Sequence, residues 1–136
     1  MKHPKPRHNV SEKVKPTEEK YNPEKNPPRF SFRYVIEQAP FDYDSLEKED
    51  KVHLVDRLYK LSQLTWAEIR LSSRHKLGCE KIEEGLKSKI SNCAPADANI
   101  LAFRFSGMAA MLGYRSAFGT FYIIAFDTKF KAYDHG

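Results

Sequence analysis

The clearest pattern of apolar and polar positions lies toward the end of the chain. From Ile100 the residues run ILAFRFS, AAMLGYR and TFYIIAFD, separated by SGM and SAFG. Leu101, Phe103 and Phe105 alternate with Ile100, Ala102 and Arg104, the period of two that marks a strand, so Arg104 projects from the face opposite the two phenylalanines. The third run is apolar at nearly every position, which predicts an interior strand covered on both faces. The glycine-containing breaks predict turns. A shorter run, FKAYDHG, follows Thr128-Lys129 and predicts a last strand-like piece.

Upstream, RFSFRYVIE at 29–37 also alternates. Phe30, Phe32, Tyr34 and Ile36 share one face, which predicts a strand that Pro40 ends. Leu54, Val55, Leu58 and Leu61 then recur at helical spacing, with acidic residues crowding the first turn, and predict a helix over 45–63 started by an Asp44/Glu47 capping arrangement. Thr65 and Glu68 form a second capping box for a short helix from Trp66 to about Ser72. Trp66, the single tryptophan, is expected to pack between the two helices. Residues 79–99 are polar; Ile82, Leu86 and Ile90, four apart, suggest a short surface helix weakened by Gly85. The predicted order is β-α-α-β-β-β: an α+β fold, a twisted antiparallel sheet with a helical hairpin on one face.

Composition separates residues 1–28 from this plan. They hold six of the eight prolines and almost no aliphatic residues, which predicts a disordered basic arm before a single domain at 29–136. The net charge is +5, of which the arm carries +3 (seven Lys/Arg against four Glu). A mildly basic surface permits nucleic-acid binding without requiring it. Two cysteines, Cys79 and Cys93, lack ligand-spaced partners, so free thiols rather than a zinc site are expected. No apolar leader and no stretch of about 20 apolar residues is present, which predicts a cytoplasmic protein with no membrane partner.

The chemistry-bearing residues form no motif of the Walker, dinucleotide-binding, metalloprotease or nucleophile-elbow type. His3 and His8 lie in the arm and His53 on the first helix. Arg70, Arg74, His75 and Lys76 make a compact basic cluster before Gly78. Basic residues at a helix C-terminus favour its dipole without any ligand; alternatively they grip phosphate. With Arg115 and Lys131, these are the candidate nucleic-acid-binding residues. Metal-independent RNA cleavage requires a base for the 2′-hydroxyl proton, cations for the phosphate and an acid for the leaving oxygen. Histidine, lysine and tyrosine can fill the proton-transfer roles, so no metal and no cofactor is expected.

The element order, with FSFRYVI at the start and AFRFS…LGYR…FYIIAFD…KAYDHG at the end, resembles the RelE/ParE-like toxins of bacterial toxin–antitoxin modules over about residues 30–136. The resemblance is one of fold. It implies a toxin-like ribonuclease that cuts RNA on the ribosome without a metal and is held by an antitoxin protein. It also implies Arg104 as a phosphate-binding cation and His135, with Tyr133 before it, as the C-terminal proton-transfer pair. The departures are the long polar 79–99 segment, the arm, and the absence of a basic residue within AAMLG. The alternative is a non-enzymatic phage or plasmid accessory protein that binds a protein or nucleic-acid partner through its basic cluster and arm.

Overall fold

The computed structural model describes residues 22–72 and 77–133. Its five-stranded sheet is made of β1 (Arg29–Ser31), β2 (Cys79–Ile82), β3 (Ile100–Ser106), β4 (Ala109–Arg115) and β5 (Thr120–Asp127), in the order β1-β5-β4-β3-β2. The helices are α1 (Lys48–Leu61), α2 (Trp66–Leu71) and the single-turn α3 (Ser88–Ser91). The class is α+β, as the pattern predicts. The three C-terminal strands fall on the three apolar runs, and Gly107 and Gly119 adopt positive φ in the turns between them, where a side chain would be strained.

The sheet itself is mixed rather than antiparallel. β2, β3, β4 and β5 form successive antiparallel pairs, but β1 lies parallel to β5. After β1 the chain crosses over the helices to the far edge and then folds back strand by strand, so β5 reaches β1 running in the same direction. The predicted strand at 29–37 is also interrupted. Only Arg29–Ser31 pair continuously; Ile36 N–H then donates to Ile124 O at 2.8 Å, and Phe41 O accepts from Phe126 N–H at 2.9 Å. Excursions between these contacts break the alternation. Phe30 packs on the helix side, Ile36 is buried on the opposite side, and Phe32 and Tyr34 are exposed.

The sheet is covered on both faces. On one lie Leu54 and Leu61 of α1 with Trp66 and Ile69 of α2, packed against Phe103, Met111, Phe121, Ile123 and Phe126. The buried stripe of α1 runs through Leu54, Leu58 and Leu61 at i, i+4, i+7, while Val52 and Val55 face solvent. Trp66 sits on the sheet rather than between the helices, its ring centroid 6.2 Å from those of Phe103 and Phe121. The Thr65/Glu68 capping box forms as predicted: Thr65 N–H donates to Glu68 Oε1 at 2.9 Å and Glu68 N–H to Thr65 Oγ1 at 3.2 Å. The first helix starts later, at Lys48, with Asp50 accepting from Glu47 N–H, because Tyr43–Ser45 form a separate 3-10 turn.

The second face is covered by irregular chain: Ile36 and Phe41, Ile90 of α3, and Ala132 pack on Ala102, Ala110, Leu112, Ile124 and Ala125. One-residue irregularities adjust the alternation. The register between β3 and β4 shifts at Arg104/Ser106, and that between β4 and β5 at Leu112/Gly113. The first leaves Ser106 on the helix side, where His53 Nδ1 lies 2.8 Å from its hydroxyl. The second lets Ile124 and Ala125 both face away from the helices while Phe126 returns to them.

Three further expectations change. β2 and α3 occupy the segment expected to hold one surface helix. The run at 130–133 forms no strand. Residues 22–28, grouped by composition with the arm, are folded onto α2: Pro23–Lys25 make a 3-10 turn, and Asn26 O accepts from Trp66 N–H at 3.0 Å. Proline-rich composition lowers the entropy lost on ordering such a turn, and the orphan N–H at the start of α2 supplies a partner. Arm residues 1–21 lie outside the described residues.

Candidate functional site

The predicted site residues divide between the two faces of the sheet. On the face away from α1 and α2, three polar side chains meet. Glu80 stands on edge strand β2 opposite Ala102, Arg104 lies two residues further along β3, and Tyr133 arrives from the segment after β5. Tyr133 O–H donates to Glu80 Oε1 at 3.0 Å, and Arg104 Nη2 lies 3.7 Å from the same oxygen. Arg104 and Glu80 are mostly covered, with side-chain exposures of 16% and 26%. Burial and the bond to Glu80 push the Tyr133 phenol up to about 12, while Arg104 pulls in the opposite direction. The phenol is therefore a proton donor, not a base, at neutral pH.

Buried Asp127 on β5 sets the position of Tyr133. Its two carboxylate oxygens accept from Lys131 N–H at 2.9 Å and Ala132 N–H at 3.0 Å, fastening the chain immediately before the tyrosine. Lys131 is exposed, and its backbone rather than its side chain is what these contacts hold. His135, the other half of the predicted proton-transfer pair, lies outside the described residues.

Arg70 and Arg115 come together on the helix side. Cys79, Lys81, Leu101 and Arg115 reach this face from the sheet and, with Trp66, Ile69 and Arg70 of α2, line a cleft of about 440 Å³ together with Glu24 and Asn99. Glu24 joins the two arginines. Arg70 Nε donates to its Oε1 at 3.0 Å, with a second, shorter bond from Arg70 Nη2, and Arg115 Nη1 donates to its Oε2. These bonds hold the Glu24 carboxyl below its ordinary value, Arg115 contributing most and Arg70 next. The Arg115 guanidinium also lies 5.2 Å from the Trp66 ring centroid, and Trp66 Nε1–H is fixed by Gly119 O at 2.9 Å. Arg74, His75 and Lys76, between α2 and β2, lie outside the described residues.

The sheet thus stands between Arg104 with Tyr133 and Arg70 with Arg115, so among the described residues these candidates form two sites rather than one groove, and the exposed Lys131 side chain joins neither. Sequence reasoning missed Glu80, Asp127 and Glu24. Glu80 belongs to a four-residue edge strand too short for its period to register. Asp127 ends an apolar run, where a carboxylate resembles a turn residue. Glu24 sits among charges and prolines that gave it no distinguishing mark.

Chemically, the first cluster offers a carboxylate able to accept a proton, a guanidinium able to hold an oxyanion and a phenol able to return a proton. The cleft offers a paired-arginine seat for an oxyanion. Among the described residues, no helix is long and apolar enough to cross a membrane. Compared with protein-family models, curated proteins and solved structures, the chain matches none.

Proposed function

We propose that this protein is a toxin-like, metal-independent endoribonuclease of the cytoplasm, with RNA on the ribosome as its substrate and an antitoxin protein as its partner. The observation that carries the reading is the meeting of Glu80, Arg104 and Tyr133 on one sheet face. In this scheme Glu80 takes the proton of an RNA 2′-hydroxyl, and the 2′-oxygen attacks the adjacent phosphorus. Arg104 stabilises the charge on the phosphoryl oxygens. The bond to the 5′-oxygen breaks as that oxygen receives a proton from Tyr133, leaving a 2′,3′-cyclic phosphate and a 5′-hydroxyl. His135, implied by the family resemblance, is a second proton donor for the same step. Entry of the phosphate requires it to replace Glu80 both as the partner of Arg104 and as the acceptor of the Tyr133 hydroxyl, after which the carboxylate acts as base and the phenol faces the leaving 5′-oxygen.

The test is cleavage of RNA by the purified chain, with and without ribosomes and with a chelator present. Glu80→Gln and Arg104→Gln are each expected to slow cleavage by about 10²–10⁴-fold, the usual range for loss of one acid–base or charge-stabilising group. Tyr133→Phe is expected to slow it less if His135 shares the protonation. Cleavage unchanged by both Glu80→Gln and Arg104→Gln overturns the assignment. The paired arginines of the helix-side cleft favour a second reading, a phage or plasmid accessory protein that binds without cutting; tight RNA binding without any cyclic-phosphate product decides for it.

A further inference from the structure

We infer that the Arg70–Arg115 cleft is a second, non-catalytic site for a backbone phosphate of single-stranded RNA, and that Glu24 fills the phosphate position when RNA is absent. The RNA class rests on the proposed function; the occupancy by Glu24 does not. Two guanidinium groups from separate elements converge on the two oxygens of one carboxylate. That geometry, two N–H groups of Arg70 on one oxygen and one N–H group of Arg115 on the other, suits phosphate as well as carboxylate. Arg115 is also pre-oriented, because Trp66 beneath it is anchored to Gly119 O.

Glu24 is suited to leave. Its segment is held by contacts that do not involve the carboxylate: Asn26 O with Trp66 N–H, and the turn closed by Asn26 N–H on Pro23 O. The Arg70 side chain is 66% exposed, Arg115 35% and Glu24 31%, so both ion pairs are solvated, the Arg70 pair more than the Arg115 pair, and each is modest in water. With Glu24 in place, the charged lining residues are Arg70, Lys81 and Arg115 against Glu24, a surplus of two positive charges. A phosphate that takes the seat leaves Glu24 to solvent and meets Arg70 and Arg115, while Lys81, 4.0 Å from Glu83, lines the cleft beyond it. The cleft is also far larger than one carboxylate, and Asn99 and Lys81 line the part that Glu24 does not bridge, where neighbouring nucleotides can lie. The covered Trp66 ring leaves no face for a stacked base, so the site reads backbone and not sequence.

The experiment uses the full chain carrying Glu80→Gln, so that RNA binds without being cut. Binding of a fluorescent oligouridylate is followed by anisotropy, with Trp66 emission as the local report. Adding Glu24→Gln is expected to tighten binding about three- to tenfold, because it removes a competitor of ordinary surface ion-pair strength. Arg70→Gln is expected to weaken it about tenfold by loss of two guanidinium donors, and Arg115→Lys by about the same factor by loss of the planar guanidinium held over Trp66. Arg70→Gln, which removes a charge, should also flatten the salt dependence. Arg70 is exposed, so its substitution leaves the fold intact. The inference is overturned if Glu24→Gln leaves affinity unchanged or weakens it, if Arg70→Gln has no effect, or if a glutamate-rich peptide binds the cleft and oligouridylate does not. Absence of cleavage by the unsubstituted chain, with tightening by Glu24→Gln intact, overturns only the proposed ribonuclease.

Discussion

Asp127→Asn is the most informative single change, because one side chain links the core to the candidate site. Asp127 is 2% exposed, and each of its oxygens accepts a backbone N–H. Asparagine is nearly isosteric but places an N–H₂ group where one oxygen stood. One buried backbone donor then faces another donor. Losing a hydrogen bond to a charged group is worth about 1.5–3 kcal/mol, and leaving the donor unsatisfied costs about 1–3 kcal/mol, two descriptions of the same loss rather than a sum. The expected destabilisation is therefore about 2–3 kcal/mol if the segment at 131–133 unfolds only with the rest. If that segment peels away first, global stability falls less, and the Lys131 and Ala132 amides lose protection instead. Ala132 is fully buried, so either route is visible. Urea unfolding and hydrogen exchange of the C-terminal peptide read the two outcomes. The second outcome also releases Tyr133 from Glu80 while the rest of the fold persists. Stability within about 0.5 kcal/mol of the parent, the range of an ordinary surface substitution, together with unchanged exchange, refutes the reasoning.

Further consequences are open to direct measurement. An ultraviolet titration should find one phenol near 12, absent in Tyr133→Phe; since the folded value lies above the ordinary 10, the stability it contributes is complete below about pH 10 and fades as pH rises through about 12. Glu24 has the opposite sign. Its carboxyl lies below the ordinary 4.5, so the docking it provides is present above that value and is lost as pH falls through its lowered value, seen as a change in Trp66 emission that Glu24→Gln abolishes. Thr65→Ala should cost about 1 kcal/mol in urea unfolding through loss of the α2 cap. Gly113→Ala should fail to fold stably, because its Cβ would lie 2.1 Å from Tyr122 O and 2.8 Å from the Phe121 ring; a cooperative unfolding transition equal to the parent's excludes that close approach.

Local chemistry was legible in the sequence wherever neighbouring residues alone decide the structure. The 3.6 and 2.0 periods, the Thr65/Glu68 box and the glycine turns located α1, α2 and β3–β5, because each signal is satisfied within a few residues. The same alternation placed Arg104 opposite Phe103 and Phe105. Tertiary structure decided what depends on distant partners. The direction of β1 follows from which strand it meets after the crossover, and its interruption follows from contacts with Ile124 and Phe126. Glu80 gains its role only because β2 pairs with β3 and brings it beside Arg104, and Tyr133 joins because Asp127 holds the chain before it. Glu24 is an ordinary charge in a proline-rich stretch until Arg70 and Arg115, 46 and 91 residues away, close on it. Periodicity records which face a side chain takes; it carries no record of the residue it will face across the fold.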